Sequence, residues 1–268
     1  MPIALTYLNG RTPTAEQLAP LAFAGYTHFT AMQVRDRAAR GLDLHLERLR
    51  SASDEMFGHH LADAELRTLL ADAVRRGPRD SSLTCFVTGR PGEFTAPDVA
   101  PDLDVLVRVT DPAQPPAGPL ALDAVAHERH LPEIKHTGEV AKTRYLRRAV
   151  ARGFDDAAFL DRDGRLSEAT IWNLAFSDGS SVIWPDAAVL PGVTMQILRR
   201  RLAALGVPQE TRDIRPADLD PRLSGVVINS WSPGIALDRI GDRRLADGRA
   251  FSALLHRAYA TEPAVNFD

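Results

Sequence analysis

Residues 131–194 read LPEIKHTGEVAKTRYLRRAVARGFDDAAFLDRDGRLSEATIWNLAFSDGSSVIWPDAAVLPGVT. Inside this stretch, residues 139–152 bring Val140, Leu146 and Val150 near one side of a helix, which Gly153 ends. Segments 156–160 and 166–169 then flank the turn DRDG, and segments 172–176 and 181–184 flank SDGS. Two such turns between apolar runs predict an antiparallel meander. Pro191 and Gly192 open a second helix over residues 194–205, closed by Gly206. A helix, a meander and a helix in one run point to an α+β architecture.

Upstream, residues 3–9 and 26–34 read as strands, and a connection over 35–41 returns as a short strand at 42–44. Residues 45–57 and 62–76 are amphipathic helices, ended by Gly58 and Gly77, with Asp63 as a candidate cap of the second. Residues 81–88 and 103–110 are β-rich. Residues 111–119, DPAQPPAGP, then hold four prolines in nine positions, which neither a helix nor an internal strand can continue. Two domains follow from this break: a small N-terminal one over 1–110, the proline-rich linker 111–119, and a larger one over 120–268. Downstream, strands are expected at 120–124, 211–214, 225–229 and 235–240, and a last helix at 250–259.

The composition is that of an ordinary globular protein, with 44% hydrophobic and 25% charged residues. Its 32 basic and 35 acidic residues leave a net charge of -3, so no global field favours nucleic acid or an anionic membrane. The run Arg199, Arg200, Arg201 reads as a solvated helix face. The single cysteine, Cys85, excludes an intrachain disulfide and a cysteine metal cluster. The eight histidines show no metal-ligand spacing, so no metal is expected. With no leader-like start and no apolar run near 18 residues, the chain is expected to be cytoplasmic. No G-x-S-x-G, G-x-G-x-x-G or Gly-Lys-Ser/Thr pattern is present, which sets aside serine hydrolase, dinucleotide and nucleoside triphosphate chemistry.

What remains is a set of groups that each have an ordinary structural explanation. Lys135 stands just ahead of a helix, and its neighbour Ile134 points to partial burial, which frees an amine for Schiff-base chemistry. Lys142 sits on the charged helix itself, on what reads as its exposed face. Glu168 ends a hairpin and can face a ring nitrogen or simply cap a turn. Gly192, Val193 and Thr194 form a helix entry whose free backbone donors suit an anion. Arg48 lies one turn past His45 and offers a fork of donors to a phosphate. In NSWSPG, residues 229–234, Ser230 and Ser232 supply late hydroxyls beside Trp231.

Taken together, HLERLRSA, IK before a helix, GFDDAAFLDRDGRLSEATIWNLAF, VLPGVTMQIL and NSWSPGI resemble the class IV family of branched-chain and D-amino-acid aminotransferases and aminodeoxychorismate lyases. These are fold type IV pyridoxal phosphate enzymes, and the likeness runs over nearly the whole chain. It implies a two-domain α+β fold, with a small α/β sandwich-like domain and a larger domain whose antiparallel sheet is barrel-like. It also implies pyridoxal 5'-phosphate as cofactor. Lys135 falls on the Schiff-base lysine and Glu168, thirty-three residues later, on the ring-nitrogen glutamate. Arg48, Val193, Thr194 and Ser232 fall on the phosphate-binding positions, and His28, Gln33 and Trp231 on segments that face the substrate.

The reactions implied are aminotransfer between an amino acid or amine and a 2-oxo acid, or lyase-type elimination of pyruvate. A cofactor-binding protein without catalysis is the third reading. A homodimer is the family's assembly. Three positions depart from the family: Thr30 where it carries glutamate, Val140 where branched-chain enzymes carry tyrosine, and Leu237 where it carries proline.

Overall fold

The structure, a computed structural model, describes residues 3–92, 94–95 and 98–267, with the backbone alone at Phe23. It divides into two compact units. The first runs to Gln114 and takes in Ile134–Gly138 and the residues from Pro263 onward. The second comprises Pro115–Glu133 and Glu139–Glu262. The chain thus changes unit between Gln114 and Pro115, inside the proline-rich stretch, and two short pieces return to the first unit. This differs from domains of 1–110 and 120–268, because both returning pieces pair with first-unit strands.

In the first unit, β1 (Ala4–Leu8), β2 (Thr27–Arg35), β3 (Ala38–Arg40), β4 (Ser81–Arg90) and β5 (Asp102–Thr110) form an antiparallel sheet in the order β1-β5-β4-β2-β3. The last strand of the chain, Ala264–Asn266, adds to β3 at its edge. The four-residue α1 (Ala15–Leu18) precedes the sheet's second strand. Helices α2 (Leu42–Phe57) and α3 (Asp63–Arg76) supply the apolar cover. Alternation along β2 and β4 sends Met32, Val34, Leu83, Cys85 and Val87 into the core with Leu46, Leu49, Leu66 and Leu70. The expected strand at 42–44 is instead the first turn of α2. Gly41, at φ 68°, breaks the chain direction one residue before it. Asp63 does not cap α3 either; Ala62 holds that place and Asp63 accepts from Arg50.

Two histidines lie inside this layer. His45 Nδ1 and Thr30 Oγ1 are 2.6 Å apart, and His28 Nε2 and Ser53 Oγ 2.8 Å. Thr30, the departure from the family's glutamate, is thus matched to a histidine on α2. Burial pushes the imidazole of His28 down to about 4, and burial with the charge of Arg48 pushes that of His45 to about 3. Both folded values lie below the ordinary 6.5. The unfolded chain therefore takes up protons that the folded one refuses, and stability is lost as pH falls below that value. Between about pH 5.5 and 4 the pair should cost roughly 2.7 kcal/mol per pH unit. Urea unfolding across this range tests it: His45→Gln should lower the slope by about half of that figure, and an unchanged slope would refute the buried neutral imidazole.

The second unit holds β6 (Leu120–Ala126), α4 (Val140–Ala151), β7 (Asp156–Leu160), β8 (Leu166–Ala169), β9 (Asn173–Ser177), β10 (Val182–Pro185), α5 (Val193–Ala204), β11 (Gln209–Arg212), β12 (Ser224–Ile228), β13 (Ile235–Ile240), β14 (Arg243–Arg244) and α6 (Arg249–Ala260). The order β9-β12-β13-β6-β7-β8 closes on itself, because Glu168 of β8 pairs with Asn173 of β9. This closed ring is the barrel-like sheet, and β10 and β11 extend it from β9. Leu122, Leu166, Leu174, Phe176, Val227 and Leu237 fill one core of this unit. Met195, Leu198 and Leu202 of α5 pack with Phe251 and Leu255 of α6 over Trp184 and Val226 in another.

Helix α4 turns the other way from its expected orientation. Val140 and Val150 are 85% and 57% exposed, whereas Ala149 is fully buried and packs with Tyr145, Ala157 and Phe159. Its inward stripe is Lys142, Tyr145 and Ala149, which follows helical spacing but mixes residue types.

Candidate functional site

Closure of the barrel assembles a polar cluster in the second unit. Glu168 lies at the closing pair and is 4% exposed. Its Oε2 accepts from the backbone N–H of Leu190 at 3.3 Å. Its Oε1 is buried and has no hydrogen-bond partner, although Arg129 Nε is 3.4 Å away and Lys142 Nζ 4.0 Å. Arg129, itself buried, donates instead to Glu139 Oε1 at 2.9 Å and to the carbonyl of Pro132 at 2.8 Å. Behind Glu168, Asp156 accepts from Thr170 Oγ1 and Trp172 Nε1, and burial raises its carboxyl pKa.

Asn173, the pairing partner of Glu168, carries the cluster to α5. Its Nδ2 donates to the carbonyl of Leu190 at 2.7 Å, and the N–H of Gly192 donates to the same carbonyl at 2.8 Å. Gly192 is required by close approach: a Cβ there would lie 2.0 Å from Asn173 Oδ1. As N-cap residue of α5 it brings no side-chain acceptor. The backbone donors of Val193 and Thr194 in the first turn therefore stay uncapped from within the helix, and the helix dipole adds to their pull on an anion. Thr194 is 6% exposed.

Ser232 and Trp231 lie in the same unit, on the turn between β12 and β13. The Ser232 hydroxyl accepts from the N–H of Gly234 at 3.2 Å and lies 3.4 Å from His256 Nε2. Trp231 is 42% exposed and meets Trp172 edge to face at 5.7 Å.

The other expected groups lie in the first unit. Segment 134–138 is held along β2: the N–H of Phe29 donates to the carbonyl of Lys135 at 2.8 Å, and that of Thr137 to the carbonyl of Thr27 at 2.8 Å. Ile134 is buried in the core, and Lys135 Nζ lies 4.8 Å from the centre of the Phe29 ring. The side chain of Gln33 bonds with Ser82 and Arg35, on the face of the sheet where Phe29 also points. Arg48 is half-buried on α2, where its charge acts on His45. His28 is fully buried, with Nε2 2.8 Å from Ser53 Oγ and its ring beside Phe57. A cavity of about 1070 Å³ in this unit, lined among others by Tyr26, Met56 and Phe57, contains none of the expected site residues.

Nothing in the sequence marks Arg129 or Asn173 as functional. Lys142 lies on the inner side of α4 with its side chain 15% exposed, and not on the outer face that the apolar pattern of the helix predicts. The signal for it was the spacing Lys142, Tyr145, Ala149, masked by the more apolar Val140 and Val150. Among the described residues, no group of three or more acidic, histidine or cysteine side chains is arranged to hold a metal, and no helix is long and apolar enough to cross a membrane.

The sequence model of the family described as amino-transferase class IV matches residues 27–240. The chain belongs to the class IV family. This is a family of pyridoxal phosphate enzymes, and the two-domain α+β architecture with its barrel-like sheet is that of fold type IV. Solved structures agree in fold. The 4-amino-4-deoxychorismate lyase of Pseudomonas aeruginosa superposes with a TM-score of 0.78 at 24% identity, over 94% of this chain and 97% of that one. The branched-chain aminotransferase of the archaeon Thermoproteus uzoniensis, solved with norvaline, gives 0.83 at 18%, over 97% and 94%. A hypothetical aminotransferase of Mycobacterium tuberculosis in its PLP-bound form gives 0.79 at 19%, over 96% and 99%. No curated protein matches this class IV chain.

The residues of the second unit fit the family's cofactor on their own chemistry. Glu168 Oε1 is a buried acceptor lacking a hydrogen bond, which a protonated ring nitrogen would satisfy. The entry of α5, with Gly192 pressed against Asn173, offers backbone donors to a phosphate.

Proposed function

We propose that this chain is a pyridoxal phosphate-dependent aminotransferase that moves an amino group between an amino acid or amine and a 2-oxo acid. The observation that carries the reading is the buried Glu168 Oε1 without a hydrogen bond, at the pair that closes the barrel and next to the loop that starts α5. Pyridoxal phosphate, when bound, supplies an aldehyde that takes up amino groups and a ring that withdraws electrons from the bound substrate. Glu168 would accept a hydrogen bond from the ring nitrogen and keep that nitrogen protonated. Val193, Thr194 and the Arg48 guanidinium take the phosphate, with Ser232 as a further hydroxyl. Lys135 provides the amine that anchors the cofactor and then moves the proton held at the substrate α-carbon. Gln33 and Trp231 remain the substrate-side candidates. A homodimer in the cytoplasm belongs to the same reading.

The lyase reading is kept because the lyase of Pseudomonas aeruginosa shares 24% of its residues with this chain. One assay separates the two. Purified protein loaded with pyridoxal phosphate is given an amino donor with and without a 2-oxo acid. Turnover that requires the 2-oxo acid is expected. Acceptor-independent release of pyruvate from aminodeoxychorismate would establish the lyase instead.

A further inference from the structure

Lys142 is a second amine, its side chain 15% exposed, that the roles above leave unused. It occupies the first turn of α4, and its side chain follows the inward stripe with Tyr145 and Ala149. Its Nζ stands 4.0 Å from Glu168 Oε1, the oxygen without a hydrogen bond. Arg129 approaches the same oxygen at 3.4 Å, but its bonds go to Glu139 and Pro132. Glu139 and Asp156 are the other acids that act on the ammonium, and Arg129 the other base. Burial draws the Lys142 pKa down, while Glu168 pulls it back up. The cluster is therefore a carboxylate flanked by two cations, with Oε1 still without a hydrogen bond.

We propose that Lys142 is a positioning residue for the ring-nitrogen end of the cofactor, where its ammonium competes for Glu168 Oε1 and lowers the share of ring nitrogen that carries a proton. The inference rests on the cofactor reading above. In pyridoxal phosphate the aldehyde and the ring nitrogen lie at opposite ends of the ring. An amine this near to Glu168 is thus at the wrong end for the covalent bond, and acts through charge. A unit charge a few ångströms away, at an intermediate dielectric, shifts a proton equilibrium by on the order of ten-fold or more. Such a cation weakens the ring as an electron sink, and so tempers the electron withdrawal that Glu168 sustains.

The test uses full-length wild type, Lys142→Met, Lys142→Gln and Lys142→Arg, each loaded with pyridoxal phosphate carrying ¹⁵N in the ring. The ring ¹⁵N resonance at neutral pH reports protonation directly, and a purely structural lysine would not move it. In Lys142→Met and Lys142→Gln the resonance should move toward the pyridinium position and the cofactor Kd should fall by about ten-fold. Lys142→Arg should keep the wild-type values. A resonance that stays at the wild-type position in both neutral variants, or moves toward neutral pyridine, would overturn the proposal while leaving the cofactor reading intact. Wild type that takes up no cofactor would overturn both.

Discussion

Lys135→Ala should lower turnover by at least about 10³-fold at saturating donor, because it removes both the covalent anchor and the group that moves the α-proton. The fold should barely notice. Lys135 holds its place through backbone bonds to β2, which alanine keeps, and its side chain lies over the Phe29 ring. That cation–π contact is worth roughly 0.5–1 kcal/mol at a half-exposed site. Steady-state rates and a urea melt of the same preparation check the two halves together. Turnover within ten-fold of wild type would contradict the assigned role, and a large drop in stability would mean that the lost rate has another cause.

Glu168→Gln should damage both stability and activity. The glutamate is buried between Arg129 and Lys142, and an amide leaves those two cations facing a neutral group. Removing one partner of a buried ionic cluster costs about 3–5 kcal/mol. The lower end is expected, since Glu139 still holds Arg129 at 2.9 Å. Adding Lys142→Met to Glu168→Gln should restore much of the stability without restoring the reaction, because the charge imbalance is relieved while the ring nitrogen still lacks its acceptor. Urea unfolding of the two variants measures the first effect, and turnover with a 2-oxo acid the second. A stable and fully active Glu168→Gln would remove Glu168 from the site.

These expectations draw on parts of the molecule that were legible in the sequence to different degrees. The turns DRDG and SDGS fixed β7 to β10 as a meander, since each demands a local reversal. Lys135, Glu168 and the entry to α5 were marked by order and spacing, and their roles rest on that order. Ring closure was not legible, because it needs β12 to pair with β9 and β13 with β6, partners far apart in the chain that leave no local mark. Neither were the returns of residues 134–138 and 264–266 to the first unit, which are too short to carry a periodic signal. In α4 the apolar pattern misled: Val140 and Val150 face solvent, and a lysine takes the inward place because a buried carboxylate faces it. At residues 42–44 a short apolar run served equally well as strand or helix, and Gly41 in the left-handed region decided for the helix.

The decisive question is which side chain bonds to the cofactor. Protein loaded with pyridoxal phosphate, reduced with borohydride, digested and mapped by mass spectrometry gives a direct answer. A pyridoxyl adduct on Lys135, absent from Lys135→Ala, is the predicted result. An adduct on Lys142, or none on either lysine, would contradict it.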